Sequence, residues 1–264
     1  MTVTEEVSPQ LQPDPARRRP RLVRWTIIIG FVVVLEVTTR TGLIDRSLMV
    51  PQSEILERLV SIVPTGEFGA DTARTLTTIL MAFAIGLVGG IPLAILLWRL
   101  PTVGRVLEPF LVTGYAMPTL LFYPLLLAIM GLNAGPIIVI AATMSLIPIA
   151  LTTMVALGSI KPLLHKLAKS VNASQSQYYL KVLLPAATPL VFPGVKLGFI
   201  YAVIGTIAME FILAAQGIGF RAGFSYRELN TADMWAYITV VIVLSVFVNG
   251  ILTWSEKRIR KDLL

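Results

Sequence analysis

Ionisable side chains are scarce in the apolar stretches of this chain, and the few that occur there are the residues that could do chemistry. Glu36, Lys196 and Glu210 are the ones that read as lying at membrane depth. A charged group at the centre of a bilayer costs about 2.5–3.5 kcal/mol on insertion scales, so each is a functional candidate by default. Such a residue can line a solute route, hold a gate closed, or pass protons. Three scattered groups make a thin proton relay. Glu36 and Arg40 are spaced i, i+4 and can pair on one helical face. Glu210 falls near the end of its apolar stretch. It either lines the route or gates it, or is a structural carboxylate bonded to neighbouring helices. For Lys196 we favour snorkelling to the nearer interface over a place in the route. Their 14-residue separation spans roughly 21 Å of helix, so the two cannot pair within it.

Other chemistry is absent from the sequence. There is no cysteine, which excludes disulfides and thiolate metal sites. His165 is the single histidine. The dipeptide Gly-Lys never occurs, so there is no phosphate-binding loop of the G-x-x-x-x-G-K-[ST] type. No H-E-x-x-H and no clustered Asp pair is present, which counts against a membrane prenyltransferase. We assign no catalytic residue, no cofactor and no metal. The chain reads as a passage without an engine of its own.

The elements that must position these residues are apolar and long. The hydrophobic fraction is 55%, and a spanning helix needs roughly 20 mostly apolar residues. Six stretches qualify, at about 25–43, 74–98, 108–130, 135–158, 190–213 and 235–254. The expected fold is therefore all-α, a polytopic membrane protein with six transmembrane helices. Lys and Arg concentrate in the N-terminal tail, the 99–107 loop, the 159–189 loop and the C-terminus, which together hold fifteen of the 22. The positive-inside rule then puts both termini in the cytoplasm. The net charge of +7 follows from this topology and from anionic headgroups; nucleic-acid binding is a poor reading of it. Residues 1–24 form a tail with the composition of a disordered segment, 25–260 the membrane domain, and 261–264 a C-terminal tail. The first apolar run has no small-residue cleavage site behind it and reads as a retained anchor helix.

Within the spans, Pro118, Pro124, Pro136 and Pro148 kink or start helices. A static bend is the commoner outcome, and a hinge for alternating access the other. Gly86, Gly89 and Gly90, with Ala82, suit close helix packing. Trp25, Trp98, Trp235 and Trp254 fall at span ends, as an interfacial belt requires.

The 159–189 loop is too patterned for a simple connector. Leu163, Leu164, Leu167, Ala168 and Val171 share one face of a short helix, and Lys166 and Lys169 point elsewhere. Asn172 interrupts, because asparagine tolerates the left-handed conformation. Ser174-Gln175-Ser176-Gln177 reads as a capping box that opens a second helix carrying Tyr178, Tyr179, Val182 and Leu183, and Pro185 is expected to end it. Two short helices at an angle make a knob that can dock into a groove on a soluble partner. The alternative is an interfacial hairpin lying on headgroups.

Several of these residues resemble a known family. Lys166-Leu-Ala-Lys-Ser-Val-Asn-Ala-Ser174 followed by Val182-Leu-Leu-Pro-Ala-Ala-Thr-Pro189 is similar to the E-A-A-x-x-x-G…I-x-L-P loop of binding-protein-dependent ABC importer permeases. Pro118-Thr-Leu-Leu-Phe-Tyr-Pro124, Gly131-Leu-Asn-Ala-Gly, Gly194-Val-Lys196-Leu, Met209-Glu210, Gly217-Ile-Gly219-Phe and Met49-Val-Pro51 resemble further family motifs. The likeness runs from residue 25 to 260 and is nearest to the branch that imports sulfonates, taurine, nitrate and some vitamin precursors. It implies a type I importer fold, with Leu163, Leu164, Lys166, Leu167, Ala168, Val171, Asn172, Ala173 and Ser174 coupling the permease to ABC ATPase subunits. It also implies a second permease subunit, in a homodimer or heterodimer, and an extracytoplasmic solute-binding protein in a bacterial inner membrane. The implied cargo is a small anion such as a sulfonate or nitrate, with a pyrimidine-type precursor as the runner-up. Glu210, Pro118 and Pro124 are the candidates for the route or its gate. Two positions depart from the family pattern. Lys166 replaces a Glu, which reverses a contact charge and implies either an altered ATPase partner or one half of a heterodimer. Asn172 replaces a Gly and can preserve the turn. The residues themselves leave two other classes open: a carrier driven by an ion gradient, and a membrane scaffold that transports nothing.

Overall fold

The computed structural model describes residues 19–262. The disorder expected for residues 1–24 lies outside the described residues up to residue 18, and residues 19–24 are instead the opening turns of a helix, Arg19–Arg40. Those described are helical, with no strand among them. Eleven helices follow in order: α1 Arg19–Arg40, α2 Gln52–Ile62, α3 Gly66–Arg99, α4 Pro101–Ala116, α5 Tyr123–Met130, α6 Gly135–Gly158, α7 Pro162–Ser170, α8 Gln175–Gln177, α9 Leu184–Leu213, α10 Ile218–Arg227 and α11 Thr231–Asp262.

α6 is the axis of the bundle and lies between α3 and α9. Small residues bring the three backbones together, since without a hydrophobic drive between helices in lipid, close van der Waals packing must hold them. A methyl group on Gly86 would sit 2.4 Å from the Ser145 hydroxyl, and one on Gly90 would meet the Leu146 carbonyl at 2.9 Å. On the other side of α6, a methyl on Gly198 would lie 2.4 Å from the Ile149 side chain. The glycines at 86 and 90 therefore pack as their spacing suggested. The apolar faces of α1 and α11 stay exposed, as helices against lipid would.

Among the described residues, four helices are long and apolar enough to cross a membrane: Gly66–Arg99, Gly135–Gly158, Gln175–Leu213 and Thr231–Arg258. The stretch expected as one span at 108–130 is instead two helices, Pro101–Ala116 and Thr119–Met130, bent by 85°. The break falls at Met117-Pro118. Proline disfavours helical geometry in the residue before it, and Met117 is extended at φ −73°, ψ 137°. Counted as one span, the bent pair makes a fifth. α1 is not among the four. It carries Arg24, Glu36 and Arg40 within its apolar run.

Pro185 does not end the helix after the capping box. The chain runs from Gln175 to Leu213 as one long helix. Residues Tyr178–Leu183 are wound as a π-helix, and Pro185 sits in the first turn of the α-helical stretch that follows. A π-turn shifts the bonding pattern by one residue, and a first-turn proline has no N–H to lose.

Candidate functional site

At the end of the bundle away from α7, the short α10 is fastened by side chains from two other helices. Gly217 takes φ +109°, a value suited to glycine, and turns the chain sharply after α9. The three amides at the start of α10 would otherwise be orphan donors. Gly217 N donates to Asp71 Oδ1 at 2.9 Å, Ile218 N to Thr75 Oγ1 at 2.9 Å, and Gly219 N to Glu210 Oε2 at 3.0 Å. The Thr75 hydroxyl in turn donates to Glu210 Oε2 at 2.8 Å. Arg221 closes the network from α10 with a 2.6 Å bond to Asp71 and a 3.0 Å ion pair to Glu67. That bond to Asp71 raises the Arg221 pKa and fixes its charge.

Glu210 is 2% exposed. It behaves as a cap supplied from another helix, which is the structural half of the expectation for it. It also borders a cavity of about 220 Å³, whose wall includes Arg74, Thr78, Tyr123, Asn133 and Gln216. Leu132, Ala134, Ile137, Ala214 and Ala215 complete that wall, so Glu210 borders a hollow of mixed lining as well as the α10 turn.

At the opposite end, α7 and the turn after it form the helix–break–helix unit anticipated in the loop. Asn172 is left-handed at φ 48°. Ser174 and Gln177 complete a reciprocal capping box. The proposed apolar face is divided. Ala168 is buried and Leu164 half-buried, whereas Leu163, Leu167 and Val171, one helical turn apart, stand exposed. Lys166, Asn172 and Ser174 are exposed and Ala173 half-buried. The unit is tied to the bundle by Arg99, which donates to the Tyr179 hydroxyl at 2.9 Å and lies 4.0 Å from that ring's centroid.

Lys196 pairs with Glu256 on α11: its ammonium lies 3.0 Å from that carboxylate, with both side chains largely buried, and Glu256 stands just past the apolar stretch 235–254. Glu36 pairs with Arg40 at 2.6 Å and also accepts a 2.8 Å bond from Ser53. Pro118 precedes the turn after the helix break and Pro124 begins α5, both exposed. Trp25 and Trp254 are exposed, but the Trp235 indole donates to the Leu48 carbonyl at 2.9 Å. The sequence reading missed Asp71, Thr75 and Arg221. Asp71 and Thr75 are spaced i, i+4, a signal for one helical face, but nothing in the sequence indicates that α10 folds against it.

A bundle of long apolar helices, with a small cavity bordered by Arg74 and Glu210 at one end and an exposed patterned loop at the other, is the architecture of a polytopic membrane transport subunit. Residues 86–261 match the binding-protein-dependent transport system inner membrane component family, and the chain belongs to that family. It is the non-catalytic permease component of an ABC import system. It is 27% identical over 251 residues to the taurine transport system permease protein TauC of Escherichia coli, covering 92% of this chain and 91% of that one. The nitrate import permease protein NrtB of Synechocystis sp. is 21% identical, covering 90% and 89%. The bicarbonate transport system permease protein CmpB of Synechococcus elongatus is 22% identical, covering 89% and 88%. In fold, the chain is similar to an inward-facing MetNI methionine ABC transporter, with TM-score 0.61 and 23% identity over 75% of this chain and 96% of that one. An amino acid ABC transporter gives TM-score 0.62 and 18% identity over 76% and 97%.

Proposed function

We propose that this permease passes a small oxyanion-bearing solute inward, driven by ATP hydrolysis on separate subunits that dock on residues 161–184. The observation that carries this reading is the exposed stripe of Leu163, Leu167 and Val171 beside the left-handed Asn172. Exposed apolar residues at helical spacing, next to a rigid turn, suit insertion into a groove of a soluble partner. The substrate class rests on the relatives, whose named cargoes are taurine, nitrate and bicarbonate. The α7 end is cytoplasmic by its Lys and Arg excess, and a solute-binding protein delivers cargo to the α10 end. A second permease subunit completes the passage. α1 and the bent α4–α5 pair bring the spans to six, within the membrane domain of residues 25–260.

Leu167→Asp tests the docking. A charge in that interface costs several kcal/mol when left unpaired. The variant should reach the membrane, release the ATPase on affinity purification and lose ATP-driven uptake. Normal uptake in Leu167→Asp after ATP depletion, with the ion gradient intact, would overturn the reading.

A further inference from the structure

Two phenols meet at mid-membrane. Tyr201 lies midway along the apolar stretch 190–213 of α9. Its hydroxyl is hydrogen-bonded to that of Tyr115, in the last turn of α4. The rings touch edge-on, with centroids 5.2 Å apart and planes at 65°. Tyr115 is exposed and Tyr201 half-buried, so the pair stands on the surface of the bundle and not in its core. Tyrosine gathers at the two membrane interfaces, where its hydroxyl reaches water. A polar group held at mid-membrane faces the bundle interior or a water-filled cavity. On α11, at the same depth, the exposed residues include Ile242, Val243, Val246 and Phe247, as lipid contact requires.

Each phenol has one proton to donate. One hydroxyl donates to the other, and the accepting tyrosine keeps its own proton, which no other described residue accepts. A free donor is therefore left on an exposed face at a depth where lipid tails offer no acceptor. The pair also bridges two elements whose paths change nearby. α4 ends at the 85° break just after Tyr115, and α9 runs back through the π-wound segment toward α7. A shift of either helix would part the two hydroxyls.

We propose that Tyr115 and Tyr201 line the solute's route at mid-membrane. Their joined hydroxyls close it, and when they part their O–H groups are offered to acceptor oxygens on the passing solute. The assignment rests on the transport reading and adds two positions to the route.

The absence of cysteine permits a direct test on the full-length chain, in membrane vesicles holding the assembled importer. Tyr115→Cys, Tyr201→Cys and, as a lipid-facing control, Val243→Cys are exposed to a small charged methanethiosulfonate. Only the thiolate reacts, and it forms only where water reaches. The two route positions should label at least ten-fold faster than the control. Labelling no faster than at Val243→Cys would overturn the route assignment. The double variant Tyr115→Phe/Tyr201→Phe keeps both rings. Its uptake should fall at least five-fold, at normal membrane level and with the ATPase still co-purifying. Undiminished uptake, or loss of the ATPase, would overturn the role given to the hydroxyls. Labelling is read at the residue itself, so its failure is distinct from normal uptake in Leu167→Asp, which would overturn the coupling.

Discussion

Thr75 and Glu210, 135 residues apart in sequence, share a buried 2.8 Å hydrogen bond, and together they receive two of the first amides of α10. A helix of ten residues is marginal on its own. This one is held by caps from α3 and α9, so the turn at Gly217–Gly219 and the cavity beside it share a wall. Movement of α9 against α3 would reshape both at once.

Glu210 can be separated into its two duties. Glu210→Gln keeps a carbonyl oxygen for Thr75 and Gly219, so insertion and detergent stability should be near normal, while uptake falls because the charge facing the cavity is gone. Glu210→Leu leaves the Gly219 amide unsatisfied, at about 1–3 kcal/mol, and should also lower the unfolding temperature. Unchanged uptake in Glu210→Gln would confine the residue to capping.

The turn after α7 is sensitive to backbone, not to side-chain chemistry. Asn172→Gly should support normal uptake, since glycine adopts the left-handed conformation without steric cost. Asn172→Val should reduce ATPase association measured by co-purification, because a β-branched residue at φ 48° is strained.

Gly223 lets α10 lie directly on α9. A methyl group there would come within 2.1 Å of the Phe211 carbonyl oxygen, a backbone atom that cannot rotate away. Gly223→Ala should destabilise the docked α10 by about 1–3 kcal/mol, as overpacking does, and lower the thermal midpoint in detergent. An equally stable variant would show that α10 is not held against α9 in the membrane.

Topology is checked by reporter fusions. Fusions after residues 105 and 175 and at the C-terminus should report cytoplasm, and fusions near 65 and 225 the outside. A cytoplasmic signal at 225 would place α10 and its cavity on the wrong side for receiving solute.

The sequence by itself determined the helical membrane class, most of the long spans, the capping box at Ser174, the left-handed turn at Asn172 and the Glu36–Arg40 pair. All of these depend on residues within a few positions of one another, or on hydrophobic runs whose length is set by the bilayer. Tertiary structure alone decided the rest. Pro118 marks a break locally, but the 85° between its two arms is legible only in the fold, and Pro185 is tolerated because the π-turn precedes it. Lys196 finds Glu256 only because α9 and α11 lie side by side, and Asp71, Thr75, Glu210 and Arg221 meet only when α10 folds back over the bundle. A single sequence carries propensity and period. It does not state which distant carboxylate will stand within 3 Å of which amide, because that follows from the packing of α3, α6 and α9 through their small residues.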